Sequence, residues 1–396
     1  MKKVISTAIM LIIAITVVSG QAISRVNGSS ITADSLRDRI LYLMNAAKVT
    51  GLGVTIFNSN RPVFCQAFGM ADVQKKLPLE PTSVMGAASL SKLVFTYIVL
   101  QLVDEKKLDL DRPLVMYLDT PLVDYAMKKG QGYQDLKGDD RYKQITARMC
   151  LSHTTGFPNW RQLTPDGRLQ IKTAPGSRYS YSGEGIVLLQ FVVEKITGKD
   201  LETLAGERVF KPLNMGSTSM TWQKRFEDHL CYGYSAKGRA FPLVKREEAN
   251  AAGSMSTTLA DFTKFYAALI ANKGISAQSF AEMCHQQVAI RSKRQFGPLA
   301  RTDGSDNDEI ALGYGLGVGL FQTPYGRAFF KEGHDNGFQH YTVCYPDQKI
   351  AIIIMTNSDN GESIFKELLA LAIGDVFTPW QWENYIPYDK KIIDRR

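Results

Sequence analysis

The chain has 396 residues, 44% of them hydrophobic and 22% charged, a globular composition that excludes a disordered or fibrous polypeptide. Its formal charge of +8 comes from basic residues scattered along the chain rather than set in an aromatic-interleaved stripe, which argues against nucleic-acid binding. Five widely spaced cysteines, Cys65, Cys150, Cys231, Cys284 and Cys344, fit neither a zinc site nor a dense disulfide framework and are expected to be mostly buried thiols.

Lys2 and Lys3 precede an apolar run over 4–18, and the small residues Ser19, Gly20 and Ala22 follow. This is the pattern of a secretory signal peptide over 1–22, leaving a periplasmic or secreted protein over 23–396. The run is short for a membrane span, and no second one of spanning length follows. Residues 51–57 (GLGVTIF) and 62–69 (PVFCQAFG) are β-rich and separated by Asn58, Ser59, Asn60 and Arg61, which predicts an antiparallel pair. From Ser89 the pattern becomes helical through SLSKLVFTYIVLQLVDEKKL and stops before Asp111-Arg112-Pro113. Further helices are predicted over 185–196, 201–209 and 259–271, and the polar stretches 128–143 and 286–309 read as loops. Strands return over 314–321, 326–331, 338–345 and 350–356, before a final helix over 362–377. The simplest architecture is an α/β fold whose sheet is built from both chain ends, about 23–100 and 310–396. The mostly helical part over 101–309 is then an inserted subdomain.

Two segments carry the spacing S-x-x-K at a helix start, Ser89-Leu90-Ser91-Lys92 and Ser363-Ile364-Phe365-Lys366. The spacing puts hydroxyl and ammonium on one helix face near its positive end. Alone, such a tetrapeptide is more often plain helix surface than a catalytic pair. Only Ser89 is followed in order by Ser152-His153-Thr154-Thr155-Gly156, by Tyr181-Ser182-Gly183 and by Lys331-Glu332-Gly333.

In these motifs the chain resembles the serine β-lactamase and penicillin-binding-protein superfamily, in its class C and esterase branch, over nearly the whole mature chain. Asn250 to Thr257 and Gly313-Tyr314-Gly315-Leu316-Gly317 extend the likeness. The resemblance implies an antiparallel sheet flanked by helices and catalysis through an acylated serine, with no metal or cofactor. It carries nucleophile and lysine onto Ser89 and Lys92, the Tyr-x-Asn box onto Tyr181 and Gly183, and the Lys-Thr-Gly box onto Lys331, Glu332 and Gly333. For the last box His334-Asp335-Asn336 is a rival register, but the spacing through Gly337, Tyr341 and Pro346 to Asn357 favours Lys331. The oxyanion donors implied are the backbone N–H groups of Ser89 and His334. His153 and His340 read as structural.

A serine hydroxyl needs a deprotonated base, and a phenol beside two ammonium groups is driven towards phenolate. Either Tyr181 or Lys92 could therefore take the Ser89 proton. Two departures bear on the substrate. Gly183 lacks the family's Asn amide, and Glu332 replaces a hydroxyl, so that it either repels a substrate carboxylate or pairs with Lys331. The expected function is a hydrolase of ester or amide bonds in a small-molecule or peptide acyl substrate. Transfer of the acyl group to an alcohol or amine, and a non-catalytic ligand-binding role, are the alternatives.

Overall fold

A computed structural model of the chain describes residues 22–126 and 132–390, so the predicted signal peptide, except Ala22, lies outside the described residues. Strands β1 (Ala22–Ser24) and β2 (Ser30–Thr32) pair ahead of helix α1 (Ala33–Ala47), which Thr32 caps by accepting from the Ser35 N–H. Strands β3 (Gly51–Asn58) and β4 (Arg61–Asp72) form the expected hairpin, each longer than its predicted run. Ser59 and Asn60 turn it with φ of 52° and 58°, the left-handed pair that matches strand twist in a two-residue turn. After β5 (Leu77–Pro78) and β6 (Met85–Gly86), a single 3₁₀ turn over Ala88–Leu90 delays helix α2 (Ser91–Asp104) two residues past its predicted start.

The middle of the chain holds α3 (Ala147–Leu151), α4 (Gly183–Thr197), α5 (Leu201–Ala205), β7 (Ser256–Thr257), α6 (Leu259–Ile270) and α7 (Ala277–Met283). Strands β8 (Val288–Ala289), β9 (Gly313–Tyr314), β10 (Gly319–Thr323), β11 (Gly326–Asp335), β12 (Phe338–Tyr345) and β13 (Ile350–Thr356) follow, then helix α8 (Phe365–Ala372). The predicted 314–321 strand is broken into β9 and β10 by a turn at Gly317, where φ is 75° and the backbone presses on Thr96. The final helix stops well short of residue 377, and Gly374 follows at φ 76°. Residues 286–309 are not loop throughout, because β8 supplies the last strand of the sheet.

Nine strands form one antiparallel sheet in the order β5-β4-β3-β13-β12-β11-β10-β9-β8. Its centre is the junction of the two chain ends, with Ile353 opposite Thr55. Every residue of β13 is buried, and side chains alternate between two cores. Ile352 and Ile354 join Leu36, Ile40 and Leu368 under α1 and α8. Ala351, Ile353 and Met355 join Leu93, Phe262 and Tyr266 under α2 and α6. The fold is therefore the expected one, an antiparallel sheet between helices with strands from both ends. All five cysteines are free, with Cys150, Cys231 and Cys344 buried and Cys65 and Cys284 partly so. Among the described residues no helix is long and apolar enough to cross a membrane.

Candidate active site

The short strand β6 delivers the chain to Ser89 through Ala88, whose φ of 48° is rare for a residue with a β-carbon and marks a strained turn. Ser91 locks that turn, donating to the Ala88 carbonyl at 2.6 Å and accepting from the Met255 N–H at 3.1 Å. Helix α2 is apolar on nearly all sides and buried in the core, so Lys92 enters the site from a rigid support. Its Nζ lies 3.0 Å from Ser89 Oγ and 2.5 Å from the Ala252 carbonyl. Lys92 is 1% exposed. Burial lowers its pKa, and the neighbouring Lys331 charge adds to the lowering against the pull of Tyr181.

Tyr181 reaches the site from the segment before α4, which Ser182 caps by accepting from the Gly185 N–H. The Ser182 N–H donates to His153 Nδ1 at 3.2 Å, and the His153 ring lies 4.2 Å from the tyrosine ring. Burial holds His153 well below its usual pKa, so it is a neutral buttress, in keeping with a structural role. Lys331 Nζ, on β11, stands 3.5 Å from the Tyr181 hydroxyl. The Lys92 and Lys331 ammonium positions lie 5.1 and 5.3 Å from the Tyr181 ring centroid. Burial by itself would raise the phenol, but the two lysines together outweigh it and hold its pKa below the usual value.

Beyond Phe330, β11 has no β10 partner, and this bare edge runs beside the Ala88–Leu90 turn. Gly333 permits the approach, because a β-carbon there would lie 3.0 Å from the Ala87 carbonyl oxygen and 3.3 Å from the Leu90 nitrogen. Of the two roles open to Glu332, the structure has it paired with Lys331. Its carboxylate is 3% exposed, 3.1 Å from Lys331 Nζ and accepting from Gln295 Nε2 at 3.0 Å. Burial would raise the Glu332 carboxyl, yet the Lys331 charge keeps it below its ordinary value. His334 is exposed and pairs with Glu362 at 3.3 Å; desolvation would lower its pKa, but that carboxylate raises it. His340 is packed, its Nε2 2.8 Å from the Gly86 carbonyl, and burial pushes it down to about 4.

The second S-x-x-K is arranged differently. Ser363 Oγ donates to the Asn360 carbonyl at 2.6 Å, and Lys366 is exposed. Ser89, Trp160, Arg246, Asn250, Ala252 and His334 line a cleft of about 350 Å³. A second cleft of about 420 Å³ is lined by Tyr181, Gln295, Phe296 and Arg301, with Trp160 as the wall common to both.

The family model described as Beta-lactamase matches residues 36–374. The chain belongs to the Beta-lactamase family. Members of this family related to the chain are serine hydrolases that work through an acyl-enzyme. It is 25% identical over 337 residues to a D-aminopeptidase of Brucella anthropi, covering 83% of this chain and 60% of that protein. It is 24% identical over 355 residues to the D-alanyl-D-alanine-carboxypeptidase/endopeptidase AmpH of Escherichia coli K12, covering 86% of this chain and 87% of that one. The octameric penicillin-binding protein homologue from Pyrococcus abyssi superposes with a TM-score of 0.68 at 21% identity, covering 85% of this chain and 76% of that chain. The chain thus spans about 60% of the D-aminopeptidase it matches, while its fold is that of the family.

Within this Beta-lactamase-family fold, four residues around the candidate site had no role assigned to them from motifs. Ala252 accepts from Lys92, Trp160 divides the clefts, Gln295 holds Glu332, and Arg246 lines the Ser89 cleft. Ala252 lies in a segment already marked by its likeness to the family. Trp160 follows Phe157-Pro158 closely, whereas Gln295 sits in a stretch whose polar composition reads as loop.

Proposed function

We propose that this chain is an exported serine hydrolase that cleaves uncharged esters or amides through an acyl intermediate on Ser89. The observation that carries the reading is Lys92 Nζ at 3.0 Å from Ser89 Oγ, in a setting where burial favours the neutral amine. Lys92 takes the Ser89 proton as Oγ bonds to the substrate carbonyl carbon. The backbone N–H groups of Ser89 and His334 meet the oxyanion that develops. Lys331, kept cationic by Glu332, stabilises negative charge on Tyr181, so the phenol can relay the Lys92 proton to the departing alcohol or amine. Water then attacks the acyl-Ser89 by the same steps in reverse.

The Lys331 charge is matched by Glu332 3.1 Å away, which leaves little attraction for a substrate carboxylate. Gly183 offers no side chain for an acylamino group, and Trp160 stands in that space. Both features support neutral donors over penicillins. The relatives named for D-aminopeptidase and carboxypeptidase activity put amides beside esters among the substrates to test. Treating the protein with a fluorophosphonate and mapping the adduct by mass spectrometry tests the reading. Modification at Ser89 supports it, and an adduct at Ser363, or at neither serine, overturns it.

A further inference from the structure

The Ser89 cleft has an apolar neighbour. A cavity of about 270 Å³ lies on the far side of the Arg246–Asp335 ion pair, and both residues of that pair line both spaces. Its lining includes Met85, Trp222, Phe241, Leu243, Val244 and Phe338. Strand β6, which contributes Met85 and Gly86, runs directly into the Ser89 turn, and the Gly86 carbonyl is held by His340 at 2.8 Å. Cavity and nucleophile therefore share one rigid support. Leu243 and Val244 stand at the rim with 38% and 61% of their surface exposed.

A void of this size is far beyond a packing fault in a close-packed interior, and away from Arg246, Ser256, Asp335 and Asn336 its lining is mostly aromatic and aliphatic. It is smaller than the roughly 300–1,000 Å³ of a pocket that takes a whole ligand. It suits one substituent of a molecule whose reacting carbonyl lies elsewhere, and the shared wall puts that carbonyl at Ser89. We propose that the cavity binds the uncharged alkyl or aryl group of an acyl substrate, with the Arg246–Asp335 pair as the threshold between group and nucleophile. The Arg246 stem lines the passage with methylenes while its guanidinium stays paired. Arg246 and Asp335 already neutralise each other, so a charged group among Trp222, Phe241 and Phe338 would be desolvated with little compensation.

The inference rests on the serine-hydrolase reading, and the test separates the two. The whole protein and its Ser89→Ala variant are assayed on p-nitrophenyl acetate, butyrate, hexanoate and octanoate. The Ser89-dependent kcat/KM is expected to rise by about fourfold per methylene until the cavity is full, the ~0.8 kcal/mol of burying one CH₂. The variant carrying Leu243→Asp and Val244→Asp should flatten that slope, and Val244→Asp alone, at the most exposed rim position, should lower it. Ser89-dependent turnover with no chain-length slope, or with the same slope in the variants, overturns the cavity assignment alone. No Ser89-dependent turnover of any ester overturns the cavity assignment, and the added absence of a fluorophosphonate adduct at Ser89 overturns both readings.

Discussion

The indole of Trp160 fills the space that a side chain at residue 183 would need: a β-carbon built on Gly183 would lie 2.6 Å from its ring. Gly183 and Trp160 are therefore a matched pair, and the missing amide of the Tyr-x-Asn box is replaced by an aromatic wall. Gly183→Asn should be destabilising by about 1–3 kcal/mol, the usual cost of overpacking. Adding Trp160→Gly should recover most of that loss. Equal melting temperatures for Gly183→Asn and the parent would show that the indole yields freely.

Lys92→Ala and Tyr181→Phe should each lower kcat by about a hundredfold or more, because each removes a proton-transfer group. Circular dichroism spectra and melting curves near those of the parent would assign the loss to chemistry. Ser363→Ala serves as the internal control and should leave kcat unchanged, since its hydroxyl is bonded to the Asn360 carbonyl. A fall of only a few-fold in both site variants removes Lys92 and Tyr181 from the mechanism.

Glu332 raises the proton affinity of both Lys92 and Tyr181 by its charge. Removing a negative charge favours the deprotonated form of each, so Glu332→Gln should move the acidic limb of kcat/KM to lower pH. A unit charge at this range gives a shift on the order of one pH unit. A neutral p-nitrophenyl ester is the substrate for that profile. An acidic limb that stays in place would mean that Glu332 does not reach the reacting groups.

The same carboxylate bears on donor choice. Glu332→Thr leaves Lys331 uncompensated, which should raise kcat/KM for the anionic nitrocefin relative to that for the neutral ester, each compared on the plateau of its pH profile. Rapid hydrolysis of nitrocefin by the parent protein would remove the argument for neutral donors.

Arg161 and Glu184 join the Trp160 segment to the start of α4, just past Tyr181. Their side chains are 4% and 5% exposed, with Arg161 Nη2 2.7 Å from Glu184 Oε2 and Nε 3.0 Å from Oε1. Glu184→Ala strands a buried guanidinium and should cost roughly 3–5 kcal/mol in urea unfolding. A loss below about 1 kcal/mol would mean that water or Gly132 satisfies Arg161 without it.

The ordered boxes were readable because each depends on local chemistry. A helix start sets Ser89 and Lys92 one turn apart, and an alternating strand carries Lys331 to the sheet. The hairpin of β3 and β4 and the buried runs of β12 and β13 were equally plain, since their hydrophobic patterns and turn residues act over a few positions. Three matters were decided only in the folded chain. The Glu332 carboxylate is held by Gln295, 37 residues away in sequence. The aromatic wall depends on Trp160 meeting a glycine 23 positions later, at Gly183. The apolar cavity is assembled from β6, the segment around Leu243 and Phe338 of β12. Each is a contact between residues far apart in the chain. Periodicity and motif spacing report which face a residue takes within its own element, whereas the partner it meets there is set by how the elements pack.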